Sequence, residues 1–169
     1  QYYTYYFLEG DFNNEKYILS AEKACKWLCR IMEKDGSWKK NTYKGSPRAY
    51  HSRVAWAMLE YANTKKDFKI KEAAIKNIDW VIKSQNKNGF FKYCSFSENQ
   101  EEPFLHTVAY TIRGLLESYL LTNNKLYLDS AILTAEKLLL KFEITKHLNG
   151  QYDNNWKYSK KFSCITEMH

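Results

Sequence analysis

A tryptophan stands nine residues ahead of a glycine twice in this chain, as Trp27/Gly36 and again as Trp80/Gly89. The two tryptophans are 53 residues apart, and so are the two glycines. A third, looser copy follows at Asn149-Gly150, 61 residues after Gly89. Each glycine is trailed by aromatics, in Asp35–Trp38 (DGSW), Asn88–Phe91 (NGFF) and Asn149–Tyr152 (NGQY). A chain that repeats itself at such a period is built from one supersecondary unit used several times. A period of 53 to 61 residues exceeds the tetratricopeptide, ankyrin and HEAT units.

Helical spacing defines that unit. Ile18, Ala21, Ala24, Cys25, Trp27, Leu28 and Ile31 recur at three- and four-residue steps, predicting a helix over Glu15–Glu33. Gly36 is expected to end it as a left-handed cap. Ser46-Pro47 reads as an N-cap and first-turn proline for a second helix over Pro47–Tyr61. Further helices are predicted over Phe68–Ser84, Pro103–Leu121 and Lys125–Phe142, and a last segment, Ser163–His169, resembles the start of another. No useful stretch alternates with period two, so strands are not required. The expected architecture is all-α: one domain over residues 1–169, with helical hairpins at about 15–62, 68–121 and an incomplete 125–169.

Composition narrows the function classes. With 44% hydrophobic and 17% aromatic residues, the chain can fill a core of its own. No apolar run reaches the ~18 residues that a membrane span requires. The net charge is +7. Its basic residues are spread along helices rather than clustered, and no groove-reading motif occurs, so nucleic acid is not an expected partner. Cys25 and Cys29 share a helix face, a spacing open to a metal pair or to two small core residues. No CxxC and no regular cysteine framework occur, so a reduced, cytoplasmic setting is expected, without metal or cofactor.

The stretches Ser52–Ala62 (SRVAWAMLEYA), Asn88–Phe91 (NGFF), Pro103–Glu117 (PFLHTVAYTIRGLLE) and Ser163–Thr166 (SCIT) resemble the α/α-toroids. These comprise the terpene-cyclase and prenyltransferase repeats and the six-hairpin carbohydrate-active proteins. Within them, the chain is most similar to bacterial toroid proteins with squalene-cyclase-like repeats associated with surface-polysaccharide genes. The resemblance covers nearly the whole chain and implies a partial or open toroid in which the second helix of each hairpin lines the inside, with the site in a cleft on these inner helices. It implies a saccharide or polyprenyl-linked substrate. A ring of about six hairpins would need further hairpins of a longer chain, or further copies in a homo-oligomer. Neither the DxDD acid motif nor the DDxxD metal motif of the cyclases is present. The isoprenoid reading is thereby the weaker enzyme alternative, beside a non-catalytic binding or assembly module.

The candidate site follows from helix phase. His106, Tyr110, Arg113 and Glu117 fall at i, i+4, i+7 and i+11, opposite Val108, Ile112, Leu115 and Tyr119. His106, Tyr110 and Glu117 are the candidate catalytic groups, with His or Tyr moving a proton. Arg113 is the candidate anchor for a hydroxyl or carboxylate. On the preceding hairpin, Arg53, Trp56 and Glu60 form a partial counterpart, with His51 just ahead of them. Trp38, Phe90 and Tyr152, each close behind a glycine, are expected to pack on their own hairpins. Tyr93, Asp153 and Trp156 have no such explanation and join the substrate-binding candidates. Paired carboxylates for glycoside chemistry would come from Glu60, Glu117, Asp153, Glu167 and Glu101-Glu102.

Overall fold

The computed structural model describes residues 15–96 and 102–160. Five helices carry the fold: α1 (Glu15–Ile31), α2 (Ser52–Lys65), α3 (Phe68–Lys83), α4 (Leu105–Thr122) and α5 (Lys125–Thr145). None of them is long and apolar enough to cross a membrane. The Ser163–His169 segment, Glu101 and Glu167 lie outside the described residues.

The helices form two layers. The α2–α4 pair packs intimately, and α1, α3 and α5 lie against it on one side. Short connections make α2–α3 and α4–α5 antiparallel hairpins, so α2 and α4 run parallel. Two contacts show the same direction: Ser52 Oγ donates to the Thr111 carbonyl at 3.3 Å, and Asn63 Nδ2 to the Leu121 carbonyl at 3.4 Å. Small residues permit the approach. A Cβ placed on Gly114 would stand 2.3 Å from Ser52 Oγ and 2.6 Å from the Ser52 carbonyl carbon. Ala55, Leu59, Ala62, Ile78, Val81, Val108 and Leu115 fill the interior. Each larger aliphatic among them contributes about 1.5–3 kcal/mol by leaving water.

Helix starts follow local chemistry. Asp67 caps α3 by accepting from the Lys69 and Ile70 amides at 3.0 and 3.1 Å, and Asn124 caps α5 through the Leu126 amide. The predicted proline starts are displaced. A 3₁₀ turn at Ala49–His51 precedes α2, which begins at Ser52 rather than Pro47, and α4 begins at Leu105 rather than Pro103.

The glycines do not cap the helices as the sequence predicts. Left-handed caps are made instead by Lys66, Asn123 and Lys146, with φ of 56°, 56° and 58°. Gly36 and Gly89 sit beyond the ends of α1 and α3, in hairpin turns of their own. In the first, the Gly36 amide donates to the Glu33 carbonyl and the Glu33 amide to the Ser37 carbonyl. In the second, Gly89–Asn86 and Asn86–Phe90 repeat the pattern 53 residues later. Both glycines hold positive φ, 93° and 83°, as the bulge position of such a turn demands.

The third turn is not at Gly150, which is absent from the positive-φ residues. It spans Asp153–Lys157, where the Trp156 amide donates to the Asp153 carbonyl and the Asp153 amide to the Lys157 carbonyl. Trp156, at φ 60°, occupies the glycine position. This turn closes a two-stranded antiparallel hairpin, β1 (Gln151–Tyr152) with β2 (Tyr158–Lys160), a feature that the periodicity did not indicate.

Each of the first two turns docks on the next helix of the outer layer. A Cβ on Gly36 would lie 2.4 Å from the Lys76 carbonyl oxygen, and one on Gly89 2.8 Å from that of Leu133. The next residue of each helix then donates to the glycine carbonyl: Asn77 Nδ2 to Gly36 at 2.9 Å, and Thr134 Oγ1 to Gly89 at 2.6 Å. Equivalent positions of α3 and α5 are thus 57 residues apart. Trp38 packs back as predicted, its Nε1 donating to the Leu28 carbonyl, and Phe90 and Tyr152 are also buried. Trp27 is 42% exposed.

Candidate functional site

The polar row of α4 faces away from the outer layer. Val108 and Leu115 are buried on the opposite side, with Ile112 and Tyr119 packed against the core, whereas Tyr110 and Arg113 are open to solvent. Because α2 runs parallel and close to α4, its own row lies beside this one. The Arg53 guanidinium sits over the Tyr110 ring, 4.5 Å from its centre. The Arg113 guanidinium lies 5.8 Å from the Trp56 ring centre and pairs with Glu117 at 2.5 Å. Trp56 Nε1 donates to Glu60 Oε1 at 3.1 Å. Arg53, Trp56, Glu60, His106, Tyr110, Arg113 and Glu117 therefore make one strip across two helices.

The strip ends in an aromatic cluster at the N-terminus of α4. His106 stacks on Phe104 at 5.5 Å with 17° between the rings, meets Tyr110 edge-on at 5.7 Å and reaches Phe96 at 6.4 Å. Phe96 touches Tyr43 and Tyr50 in turn, and the buried Arg48 lies 5.9 Å from its ring centre. Arg48 also donates to the Tyr43 and Ser95 carbonyls. Sequence reasoning missed Tyr43, Arg48, Tyr50, Phe96 and Phe104. They come from loops with no periodicity, and only the fold gathers them.

Partial burial lowers the pKa of His106 below its ordinary value, which favours the neutral imidazole. Neutral, its ring can accept a proton at one nitrogen while donating at the other. The carboxylates are already engaged, Glu117 by Arg113 and Glu60 by Trp56, yet each oxygen has lone pairs to spare for hydroxyl donors.

The other candidates lie apart from the strip. His51 packs between Trp38 and Tyr50, at 6.0 and 5.3 Å. Its Nδ1 is buried without a hydrogen-bond partner. Burial, and then the charge of Arg48, push its pKa down to about 4. Tyr93 lies against Trp80 at 5.4 Å, and its carbonyl accepts from the Ala49 amide. Asp153 Oδ1 accepts from the Asn155 and Lys157 amides, both at 2.8 Å, and so shapes the third turn. Trp156 is buried against Phe90 and Tyr152, its Nε1 donating to the Asn88 carbonyl at 2.9 Å. These contacts give Tyr93, Asp153 and Trp156 partners within the fold, and Trp156 also lines a cleft at the end of α5.

Cys25 is buried and Cys29 half-buried, and burial raises both thiol pKa values, Cys25 to about 11. No group of three or more His, Cys, Asp or Glu side chains is placed to hold a metal among the described residues. A cleft of about 470 Å³ between the end of α5 and the β1–β2 hairpin shares no residue with the strip. Its charged lining is limited to Lys141 and Lys157. The strip, which combines both charges with aromatic rings, is the better candidate on chemical grounds.

Fold and site together define an all-α helical-hairpin protein with a charged, aromatic strip on the face of its central helix pair that points away from the outer layer. No protein-family model matches the chain, and no curated protein matches it.

Proposed function

We propose that the chain is a partial α/α-toroid that binds a saccharide along the α2–α4 strip, with His106, Tyr110 and Glu117 as the groups available for processing it. The observation that carries this reading is the adjacency of Arg53–Tyr110 and Trp56–Arg113 across the two helices. Aromatic faces suit the C–H faces of sugar rings. The flanking guanidinium and carboxylate groups offer donors and acceptors for ring hydroxyls, and guanidinium also favours an acidic sugar. Charges alternate with rings along the whole strip, which disfavours the isoprenoid alternative.

Titration calorimetry with short neutral and uronic-acid-containing oligosaccharides tests it. Tyr110→Ala and Trp56→Ala are expected to weaken binding at least tenfold, about 1.4 kcal/mol, while Asp153→Asn leaves it unchanged. Binding that survives the Trp56/Tyr110 double substitution overturns the proposal, as does failure of every oligosaccharide to bind.

A further inference from the structure

The outer layer exposes two apolar stripes, one at each end. On α5, Leu128, Ile132, Ala135, Leu139 and Phe142 follow the alternating four- and three-residue spacing of a helix-pairing seam. Ile132, Leu139 and Phe142 are 41%, 56% and 47% exposed. On α1, Tyr17, Ser20, Ala24, Trp27 and Ile31 follow the same spacing, and all but Ile31 are exposed.

The internal repeat states what such stripes are for. Shifted by 53 residues, the α1 stripe becomes Ile70, Ala73, Asn77 and Trp80 of α3 and its C-cap Ser84, and none of these is exposed. Shifted by 57 more, it becomes Tyr127, Ser130, Thr134, Lys137 and Lys141 of α5, again none exposed. These are the positions that receive the preceding unit: Asn77 binds the Gly36 turn, and Thr134 and Ser130 bind Gln85. The α5 stripe obeys the converse rule. Its counterparts in and just beyond α3 (Lys71, Ile75, Ile78, Ile82 and Gln85) and α1 (Ile18, Glu22, Cys25, Cys29 and Met32) are all buried or half-buried. Among the described residues, the first and last helices thus carry the two halves of the repeat interface.

Charge selects the occupant. Beside the α5 stripe run Asp129, Glu136 and Glu143, all exposed, and beside the α1 stripe run Lys16, Lys23 and Arg30, also exposed. In a parallel pairing these are the flanking positions that face each other. The internal α3–α5 seam lacks this match, since α5 carries Leu126, Leu133 and Leu140 where α1 carries its three basic residues. The complementary rows are those of α1 and α5.

We propose that α1 of one molecule docks on α5 of a second copy, head to tail, as α5 docks on α3 within the chain. Tyr17 then takes the place of Tyr127, and Glu136 that of Asp79, which accepts from the Tyr127 hydroxyl at 3.2 Å. Such an interface is heterologous, so copies add beyond a dimer, into a ring or an open array.

Sedimentation velocity on the full chain reads this directly. The average mass is expected to rise with concentration past that of a dimer, and to fall with added salt. Leu139→Lys spoils the α5 face and Ala24→Glu the α1 face. Both positions are exposed, so thermal melts should be unchanged and each variant alone should be monomeric. An equimolar mixture of the two retains one intact interface and is expected to give a one-to-one dimer and nothing larger. A wild-type chain that stays monomeric throughout overturns the proposal, its two faces then being covered by other parts of a longer chain. Self-association unaffected by either variant overturns it too. So does a mixture that fails to dimerise, which would mark the contact as isologous.

Discussion

Gly114→Ala tests the packing that creates the strip, because two effects of opposite sign meet there. Helix propensity alone favours alanine by about 1 kcal/mol in a helix interior. The structure opposes it. The added methyl would stand 2.3 Å from Ser52 Oγ, 2.6 Å from Ser52 Cβ and 2.6 Å from the Ser52 carbonyl carbon. A hydroxyl can rotate away, but the Ser52 backbone is fixed at the first turn of α2, so the helices themselves must separate. Overpacking of this kind costs up to about 3 kcal/mol. The net expectation is a loss of about 2 kcal/mol, or a melting temperature lower by ~4–8 °C for a domain of this size. Denaturant unfolding followed by circular dichroism measures the first quantity, and a thermal melt the second. Separation would also pull Arg53 from Tyr110 and Arg113 from Trp56, so any saccharide affinity should fall with stability. Ser52→Gly in the same chain should recover part of the loss by removing two of the three clashing atoms. A Gly114→Ala protein as stable as the parent, or more so, would refute the close approach of α2 and α4.

Two further outcomes follow from the same structure. His51 is held neutral in the fold, with its pKa at about 4 against an ordinary ~6.5, so the unfolded chain binds the extra proton between those values. Stability should be unaffected by this group above pH ~6.5 and fall by about 3 kcal/mol as the pH drops to 4, and His51→Gln should flatten that slope in urea titrations. Gly45 and Gly89 both hold positive φ, but only Gly89 lies against a neighbouring backbone. Gly45→Ala should therefore cost only the ~1–2 kcal/mol of a left-handed residue, and Gly89→Ala clearly more, because it also lifts the turn off Leu133; equal losses would sink that distinction.

The elements of this fold were legible because helix formation is local. The expected span Phe68–Ser84 placed α3 to within a residue, and the expected start at Lys125 is where α5 begins. The phase of His106, Tyr110, Arg113 and Glu117 was legible for the same reason: residues three and four apart share a helix face wherever the helix goes. The turns were less so. A glycine after a helix reads as its cap, yet Gly36 and Gly89 sit in separate turns beyond α1 and α3; of the left-handed caps on α2, α4 and α5, only Asn123 carries a sequence signal, Lys66 and Lys146 none, and the third turn put Trp156 where glycine stood twice before.

By itself, then, the sequence determined the helices, their repetition and which side chains share a stripe, since these rest on contacts within a few residues along the chain. Which stripe meets which was decided only by tertiary structure. Gly114 let α2 and α4 touch and set Arg53 over Tyr110. Loop residues from Tyr43 to Phe96 converged on His106 across separations that no local pattern encodes. The Trp–Gly repeat likewise showed that a unit recurs, but only the packed outer layer showed which positions of α1 and α5 stay exposed, with a basic row (Lys16, Lys23, Arg30) beside one stripe and an acidic row (Asp129, Glu136, Glu143) beside the other.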